Sequence, residues 1–358
     1  MRHSGCVYLL LTATLTACDR FEQSPPRPLD EVGLRLLGSS PPLPVSADNN
    51  LAAVTADYAC TFDSYEVQIA CAARGGEDVV RFGREGGGPG ELGELGTLVS
   101  GPGGTVAFVD PRNQRISLFS TSGYVGQLPL PPNLLLAADL SEDSTLTGHG
   151  FPAFAGPPLL TVVNVREHRD NVNWEVRLEF DPQELGSEKV SLAAATRLSS
   201  GRFVARLASS GRTALALYGR NGEYTGLLRF PYRLTRHPSD SDVEAVTADY
   251  RRLFGRPPSE AELGWFRSRP VNITPRASLF RVVQEDGRGW LWVLTTSRTA
   301  AGTEIDVFDG TEYRGTVTLP GHVLGIQITG DTLLVLVEAD DPDGLEPARR
   351  LDWYEIVR

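Results

Sequence analysis

Residues 103–129 read GGTVAFVDPRNQRISLFSTSGYVGQLP, and this stretch decides the fold that the sequence predicts. Its apolar residues alternate in short runs, and the runs are separated by Gly-Gly, Asp-Pro-Arg-Asn and Ser-Gly steps. Steps of this kind join antiparallel strands, because glycine and asparagine adopt the positive φ angles of tight hairpins. The same pattern returns at residues 200–228 and 286–317. Repeats of about 40–50 residues built from four short strands are typical of β-propeller blades.

Counting these repeats predicts an all-β fold, a six-bladed β-propeller. The predicted units span about 47–83, 96–130, 136–181, 190–231, 278–320 and 324–358, and the third is the least regular. We expect residues 32–37 to supply a strand that closes the ring against the last unit. A pair of β-sandwiches is the alternative, but the regular spacing of the units argues against it.

Two motifs resemble those of a known group of proteins. The segment DPRNQRISLF at residues 110–119 resembles the core of an NHL repeat. The preceding RFGREGGGPGE at residues 81–91 looks like the linker in bacterial six-bladed, NHL-like propeller lipoproteins. The resemblance covers nearly the whole mature chain, although the other units follow only the general pattern. It implies the propeller fold, but that group carries no agreed activity, so the resemblance implies no function.

An insertion with helical periodicity interrupts the repeats between the fourth and fifth units, at about residues 239–268. Ser241 and Ser259 are each followed three residues later by a glutamate, which predicts a capping box at the start of each of two helices. We therefore expect a short helical hairpin inserted between blades 4 and 5.

The apolar residues of this insertion must pack against something. One interpretation is a brace on the rim of the propeller, and the other is a lid over one face. In the second case the aromatic residues Tyr250, Trp265 and Phe266 are candidate binding residues.

The amino terminus is typical of an export signal. Residues 1–17 combine a short charged start with a compact apolar core that is too short to span a membrane. The sequence LTAC at residues 15–18 resembles the bacterial lipobox, which implies that Cys18 is lipidated. An ordinary signal peptide that contains a cysteine is the alternative. We expect residues 18–29 to be a flexible tether and residues 30–358 to form the propeller.

This organisation predicts the bacterial cell envelope as the location of the protein. The N-terminal lipid would hold it on a membrane, and the propeller would lie outside the cytoplasm. Which of the two membranes carries the lipid is left open.

Cys60 and Cys71 are the two cysteines that follow the lipobox. Export places them in an oxidising compartment, and the residues between them contain a turn signal and an alternating strand. A hairpin would set the two cysteines opposite one another, so we predict a disulfide. Two unpaired, buried thiols are the alternative.

The composition excludes some classes of partner. The chain has 358 residues and a net charge of −11, so it repels phosphate backbones and we expect no nucleic-acid binding. Its 41% hydrophobic content is that of a packed globular protein and not of a disordered one.

Few residues suggest a catalytic or ligand site. The segment GPGELG at residues 88–93 has the spacing of a phosphate loop, but its proline and glutamates argue for a connection between blades. No two histidines have a metal-ligand spacing, and His149, between two glycines, is the candidate binding histidine. The acidic stretch 340–346 matches only half of a calcium loop. Trp290 and Trp292 share one face of a strand, which indicates a packed core or a sugar-stacking platform.

Three functions fit these features. The first is a lipid-anchored, non-enzymatic scaffold that binds an envelope protein or a small ligand. The second is a metal-dependent hydrolase or lyase with a divalent cation in the central channel, whose ligands would come from several blades and be invisible in the sequence. The third is a periplasmic polysaccharide sensor. No cofactor is predicted under the first function, and a divalent cation is the one that the second would need.

Overall fold

The protein was analysed as a computed structural model. It describes residues 28–43, 51–94, 96–130, 136–140, 145–149, 159–164, 173–177, 191–209, 212–230, 235–238, 240–254, 256–268, 271–272, 281–299, 302–339 and 348–357. The predicted signal peptide, Cys18 and the tether up to residue 27 lie outside these ranges, as does the acidic stretch 340–346.

The described strands form six four-stranded antiparallel sheets and one two-stranded sheet. In the first three sheets, four consecutive strands pair in chain order. Sheet 1 contains β2 (Leu51–Thr55), β3 (Tyr58–Asp63), β4 (Gln68–Ala73) and β5 (Val79–Phe82). Sheet 2 contains β6 (Thr97–Gly101), β7 (Thr105–Asp110), β8 (Arg115–Ser120) and β9 (Gly123–Pro129). Sheet 3 contains β10 (Leu136–Leu140), β11 (Thr145–His149), β12 (Leu159–Asn164) and β13 (Asn173–Arg177).

The next two sheets follow the same rule on either side of the insertion. Sheet 4 contains β14 (Ser191–Arg197), β15 (Phe203–Ser209), β16 (Arg212–Tyr218) and β17 (Tyr224–Leu227). Sheet 5 contains β20 (Val283–Glu285), β21 (Trp290–Thr299), β22 (Gly302–Asp309) and β23 (Glu312–Leu319). The strands of all five sheets fall inside the predicted units.

Sheet 6 combines the two ends of the described chain. Its strands are β24 (His322–Thr329), β25 (Thr332–Ala339), β26 (Ala348–Val357) and β1 (Gly33–Ser39), and β1 pairs with β26 at the outer edge. The predicted closing strand is therefore confirmed. Pro28 and Leu29, which we predicted as the end of the tether, contact β23, and Leu29 is buried in the core.

Apolar clusters hold neighbouring sheets together and close the arrangement. The largest cluster joins sheets 4, 5 and 6 around Trp292. A second joins sheets 1 and 2, where the rings of Phe62 and Phe108 lie 4.7 Å apart. A third packs Trp353 of sheet 6 with Leu51 of sheet 1, so the last sheet lies against the first. Burial of this apolar surface is the main force that holds such sheets together. The fold is a β-propeller.

The turns follow the predicted chemistry. Gly222, in the Asn221-Gly222 step, has a φ of 85°, and Gly310 has a φ of 61°. L-residues with a side chain rarely adopt these angles, which explains why glycine stands there.

Cys60 and Cys71 form the predicted disulfide. They are directly opposite one another on β3 and β4, with 4.0 Å between their Cα atoms, and both side chains are buried. The bridge therefore crosses the centre of sheet 1.

Two helices lie within the predicted insertion. They are α1 (Asp240–Phe254) and α2 (Glu260–Arg267), and the two-stranded sheet of β18 (Thr235–Arg236) and β19 (Val271–Asn272) stands at their base. The capping box at Ser259 is present. Helix α1 begins at Asp240, so Ser241, which we predicted as its cap, lies inside the helix. Within the part of the chain that the structure describes, no helix is both long and apolar enough to cross a membrane.

Candidate functional site

The two faces of the propeller differ in the length of their connections. In an antiparallel sheet the second-to-third connection lies at the same end as the link to the next sheet, and the other two connections lie at the opposite end. The strands that are joined by the links 83–96, 178–190 and 228–282 end and begin where the first strand of each sheet begins. We call this end the loop-rich face. At the opposite end, the short-loop face, the longest link between two described strand ends has the eight residues 165–172.

The insertion belongs to the connection 228–282 of the loop-rich face, and hydrogen bonds hold the start of α2. Glu262 accepts hydrogen bonds from Ser259 N (2.7 Å) and from both terminal nitrogens of Arg256 (2.9 Å each). These bonds, with that of Arg256 first, lower the pKa of the Glu262 carboxyl to about 2. The carboxylate is therefore charged at neutral pH, where it accepts from the Ser259 amide, which has no partner within the helix.

The predicted binding residues of the insertion differ in exposure. Trp265 has 59% of its surface exposed, whereas Phe266 and Tyr250 are partly buried. Tyr250 has the Arg256 guanidinium 5.8 Å from the centre of its ring. All residues of α2 are described, and none of them is buried.

His149 ends β11 on the loop-rich face, and its Cα lies opposite that of Leu136. Its side chain lies outside the described part of the structure. The prediction that it binds a ligand therefore stays a prediction.

A second histidine on this face has a carboxylate partner that the sequence did not indicate. His322 and Glu338 are opposite one another on β24 and β25, and His322 Nδ1 contacts Glu338 Oε2. The two residues are nearly equidistant from the turn after β24, which is the signal that could have paired them. A shift of register between Val323 and Gly325 sets the pairing, and the sequence does not show that shift.

Polar side chains connect the first strands of several sheets across the centre of the ring. Gln327 of sheet 6 accepts a hydrogen bond from Ala53 N (2.7 Å) and donates one to Ser100 Oγ (2.6 Å). Arg281, just before β20, donates from Nη2 to the carbonyl oxygen of Leu98 in sheet 2 (2.5 Å). Arg281 is buried, and burial lowers the pKa of its guanidinium.

The second of the predicted functions needs ligands for a divalent cation in the central channel. Among the described residues there is no group of three or more His, Cys, Asp or Glu side chains that could hold a metal ion.

The loop at residues 83–94 connects sheets 1 and 2, and it binds the carboxylate of its own residue Glu91. Glu91 Oε2 accepts a hydrogen bond from Gly88 N (2.6 Å), and Glu91 Oε1 accepts one from Arg84 Nη2 (2.9 Å). The Gly88 amide and then the Arg84 guanidinium lower the pKa of the Glu91 carboxyl. A carboxylate of the chain thus occupies the position where a phosphate loop would bind phosphate.

Trp290 and Trp292, the core or sugar-platform candidates, both pack against other side chains. Trp292 is fully buried and donates from Nε1 to Asp286 Oδ2 (3.2 Å). The Arg288 guanidinium lies 3.8 Å from the ring centre of Trp290, and that of Arg314 lies 5.4 Å away. Because these cations cover the Trp290 ring, the arrangement supports the packed core and not the sugar platform.

No protein-family model matches the sequence, and no curated protein matches it either. Solved propellers resemble its structure at low identity. A virginiamycin B lyase from Staphylococcus aureus is 11% identical with a TM-score of 0.38, covering 84% of this chain and 77% of that chain. An aldose sugar dehydrogenase from Streptomyces coelicolor, solved with PQQ bound, is 12% identical with a TM-score of 0.45, covering 92% and 100%. A gluconolactonase from Xanthomonas campestris is 11% identical with a TM-score of 0.41, covering 93% and 95%. The likeness concerns the fold alone.

Proposed function

We propose that the protein is an exported, lipid-anchored, six-bladed β-propeller of the bacterial cell envelope, with a helical hairpin between blades 4 and 5. On its loop-rich face it binds an envelope protein or a small ligand, and it catalyses no reaction. The observation that carries the proposal is the unequal length of the links, because the three longest all join strand ends of one face. Binding residues are disproportionately found in loops that a rigid scaffold positions.

The hydrogen bonds at the centre of the ring also favour the loop-rich face as the binding surface. Gln327, Ser100 and Arg281 cross it with short hydrogen bonds between the first strands of opposite and neighbouring sheets. Groups that are engaged in holding sheets together are poorly suited to exchange partners with a ligand. This favours the loop-rich face over the channel.

Site-specific photo-crosslinking in intact cells tests the proposal. A photoreactive residue replaces Arg112, which is exposed in the connection 111–114 of the loop-rich face, or Arg220, which is exposed in the connection 219–223 of the short-loop face. Both positions are arginines in turns, so they form a matched pair. We expect a defined adduct from position 112 and none from position 220. Equal adducts from both positions, or an adduct from position 220 alone, would contradict the proposal.

A further inference from the structure

The N-terminal segment and the chain just before the insertion both contact the same strand. Pro28 forms a parallel bridge with Thr316, and Arg229 forms one with Glu312. Both partners belong to β23 and are four residues apart, which corresponds to about 13 Å along a strand. The chain therefore enters the propeller beside the point where it leaves to build the helices.

The sequence limits how far this strand can lie from a lipid on Cys18. Pro28 follows Cys18 by ten positions, and a fully extended chain of that length spans at most about 35 Å. A membrane that holds Cys18 therefore lies within that distance of β23. The insertion begins with β18, six residues after Arg229, so its first residue lies within about 22 Å of Arg229.

The insertion differs in charge from the rest of the protein. Residues 235–272 contain six arginines and six acidic residues, whereas the whole chain has a net charge of −11. The acidic residues of α2 stand in its first turn, and Trp265 is followed by Arg267 in the last turn. This end of α2 thus combines an exposed indole with a cation on an otherwise acidic molecule. Tryptophan is enriched where proteins meet the headgroup region of a bilayer, and arginine is attracted to anionic lipids.

We propose that the insertion rests on the membrane surface, with the Trp265 ring placed among the headgroups of anionic phospholipids. The contact fixes the orientation of the propeller, so that the blade 4 and 5 sector of the loop-rich face meets the membrane. The remaining sectors, which include the connections 83–96 and 111–114, stay open to a partner. This proposal rests on the lipid anchor of the proposed function.

Quenching of tryptophan fluorescence tests the contact. The mature, full-length protein is reconstituted in vesicles of phosphatidylethanolamine and phosphatidylglycerol whose acyl chains carry bromine. We expect bromine to quench part of the emission of the wild-type protein, and Trp265→Phe to remove the quenched part. For protein without the lipid, mixed with the same vesicles, Trp265→Ala should weaken binding about tenfold, as expected for an aromatic side chain that no longer leaves water.

Tyr65→Ala is the matched control, because Tyr65 is an aromatic residue of the loop-rich face with 82% of its surface exposed. We expect it to bind vesicles as the wild type does. Equal quenching in the wild type and Trp265→Phe, or equal loss of binding in Trp265→Ala and Tyr65→Ala, would overturn the proposal. The state of Cys18 is read separately from the mass of the protein. If Cys18 carries no lipid, the anchor of the proposed function is contradicted. If Cys18 is lipidated but Trp265 is not quenched, only the membrane contact of the insertion is contradicted.

Discussion

Glu285 and Arg202 form a buried ion pair that joins sheet 5 to sheet 4. Arg202 Nη2 lies 2.5 Å from Glu285 Oε1, and only 1% of the Glu285 side chain is exposed. Ser199 Oγ and Ser200 N donate to the other carboxylate oxygen, at 2.9 and 2.7 Å. The insertion separates these two sheets along the chain, and this ion pair is a direct contact between them.

Replacement of Arg202 by methionine should destabilise the protein strongly. It leaves the Glu285 carboxylate buried without its cation, and breaking a pair of this kind costs about 3–5 kcal/mol. The free energy of unfolding from urea titration measures the effect. Arg229→Met is the control, since Arg229 and Glu312 form an exposed pair, which contributes at most about 1 kcal/mol. Equal losses in the two variants would show that the buried pair has no special role.

The same pair predicts a dependence of stability on pH. Burial alone raises the pKa of the Glu285 carboxyl, but hydrogen bonds from Arg202, Ser200 and Ser199 outweigh it and hold that pKa below its usual value. The ionised group therefore stabilises the folded state above the pKa of an unfolded glutamate, about 4.3, and this contribution is lost as the pH falls through the lower folded value.

Melting temperatures of the wild type and Glu285→Gln between pH 7 and pH 3 check this dependence. We expect the wild type to be the more stable at pH 7 and the difference to shrink below about pH 4.3. A difference that stays constant or grows as the pH falls would contradict the assignment.

Much of the fold could be predicted from the sequence because its determinants are local. Glycine-containing turns predicted the hairpins, and the turn and strand pattern between the cysteines predicted the disulfide. The closing strand β1 could be predicted because a ring of repeated blades cannot leave its end blades open. The pairs Glu285–Arg202 and His322–Glu338 could not be found in the same way. Residues of the first pair come from different sheets, and the second pair depends on a shift of strand register.

The disulfide should stabilise the propeller because it lowers the conformational entropy of the unfolded chain. Closing a loop of about this length contributes about 3 kcal/mol in the chain-entropy description. We expect the double variant Cys60→Ala, Cys71→Ala to lose that amount in urea titration while keeping the far-ultraviolet spectrum of the wild type. An intact wild-type protein whose mass does not rise by two hydrogen atoms on reduction would show that the bridge is absent.

Gly96 stands where a side chain has no room. A Cβ added there would lie 1.8 Å from Phe108 Cζ, and Phe108 is fully buried between sheets 1 and 2. Gly96→Ala should therefore cost about 1–3 kcal/mol of unfolding free energy. Gly264→Ala in α2 is the control, because nothing lies within 4 Å of the added atom and alanine favours a helix by up to about 1 kcal/mol. A Gly96→Ala variant as stable as the wild type would contradict the close packing of these sheets.

The attachment of the protein to a membrane is the claim on which the proposed function depends most. Mass spectrometry of the mature N-terminus, purified from the membrane fraction of cells, tests it most directly. The account predicts a chain that begins at Cys18 and carries acyl groups, and a Cys18→Ala variant that leaves the membrane. A mature protein that begins elsewhere, or an unmodified Cys18 in the soluble fraction, would contradict it.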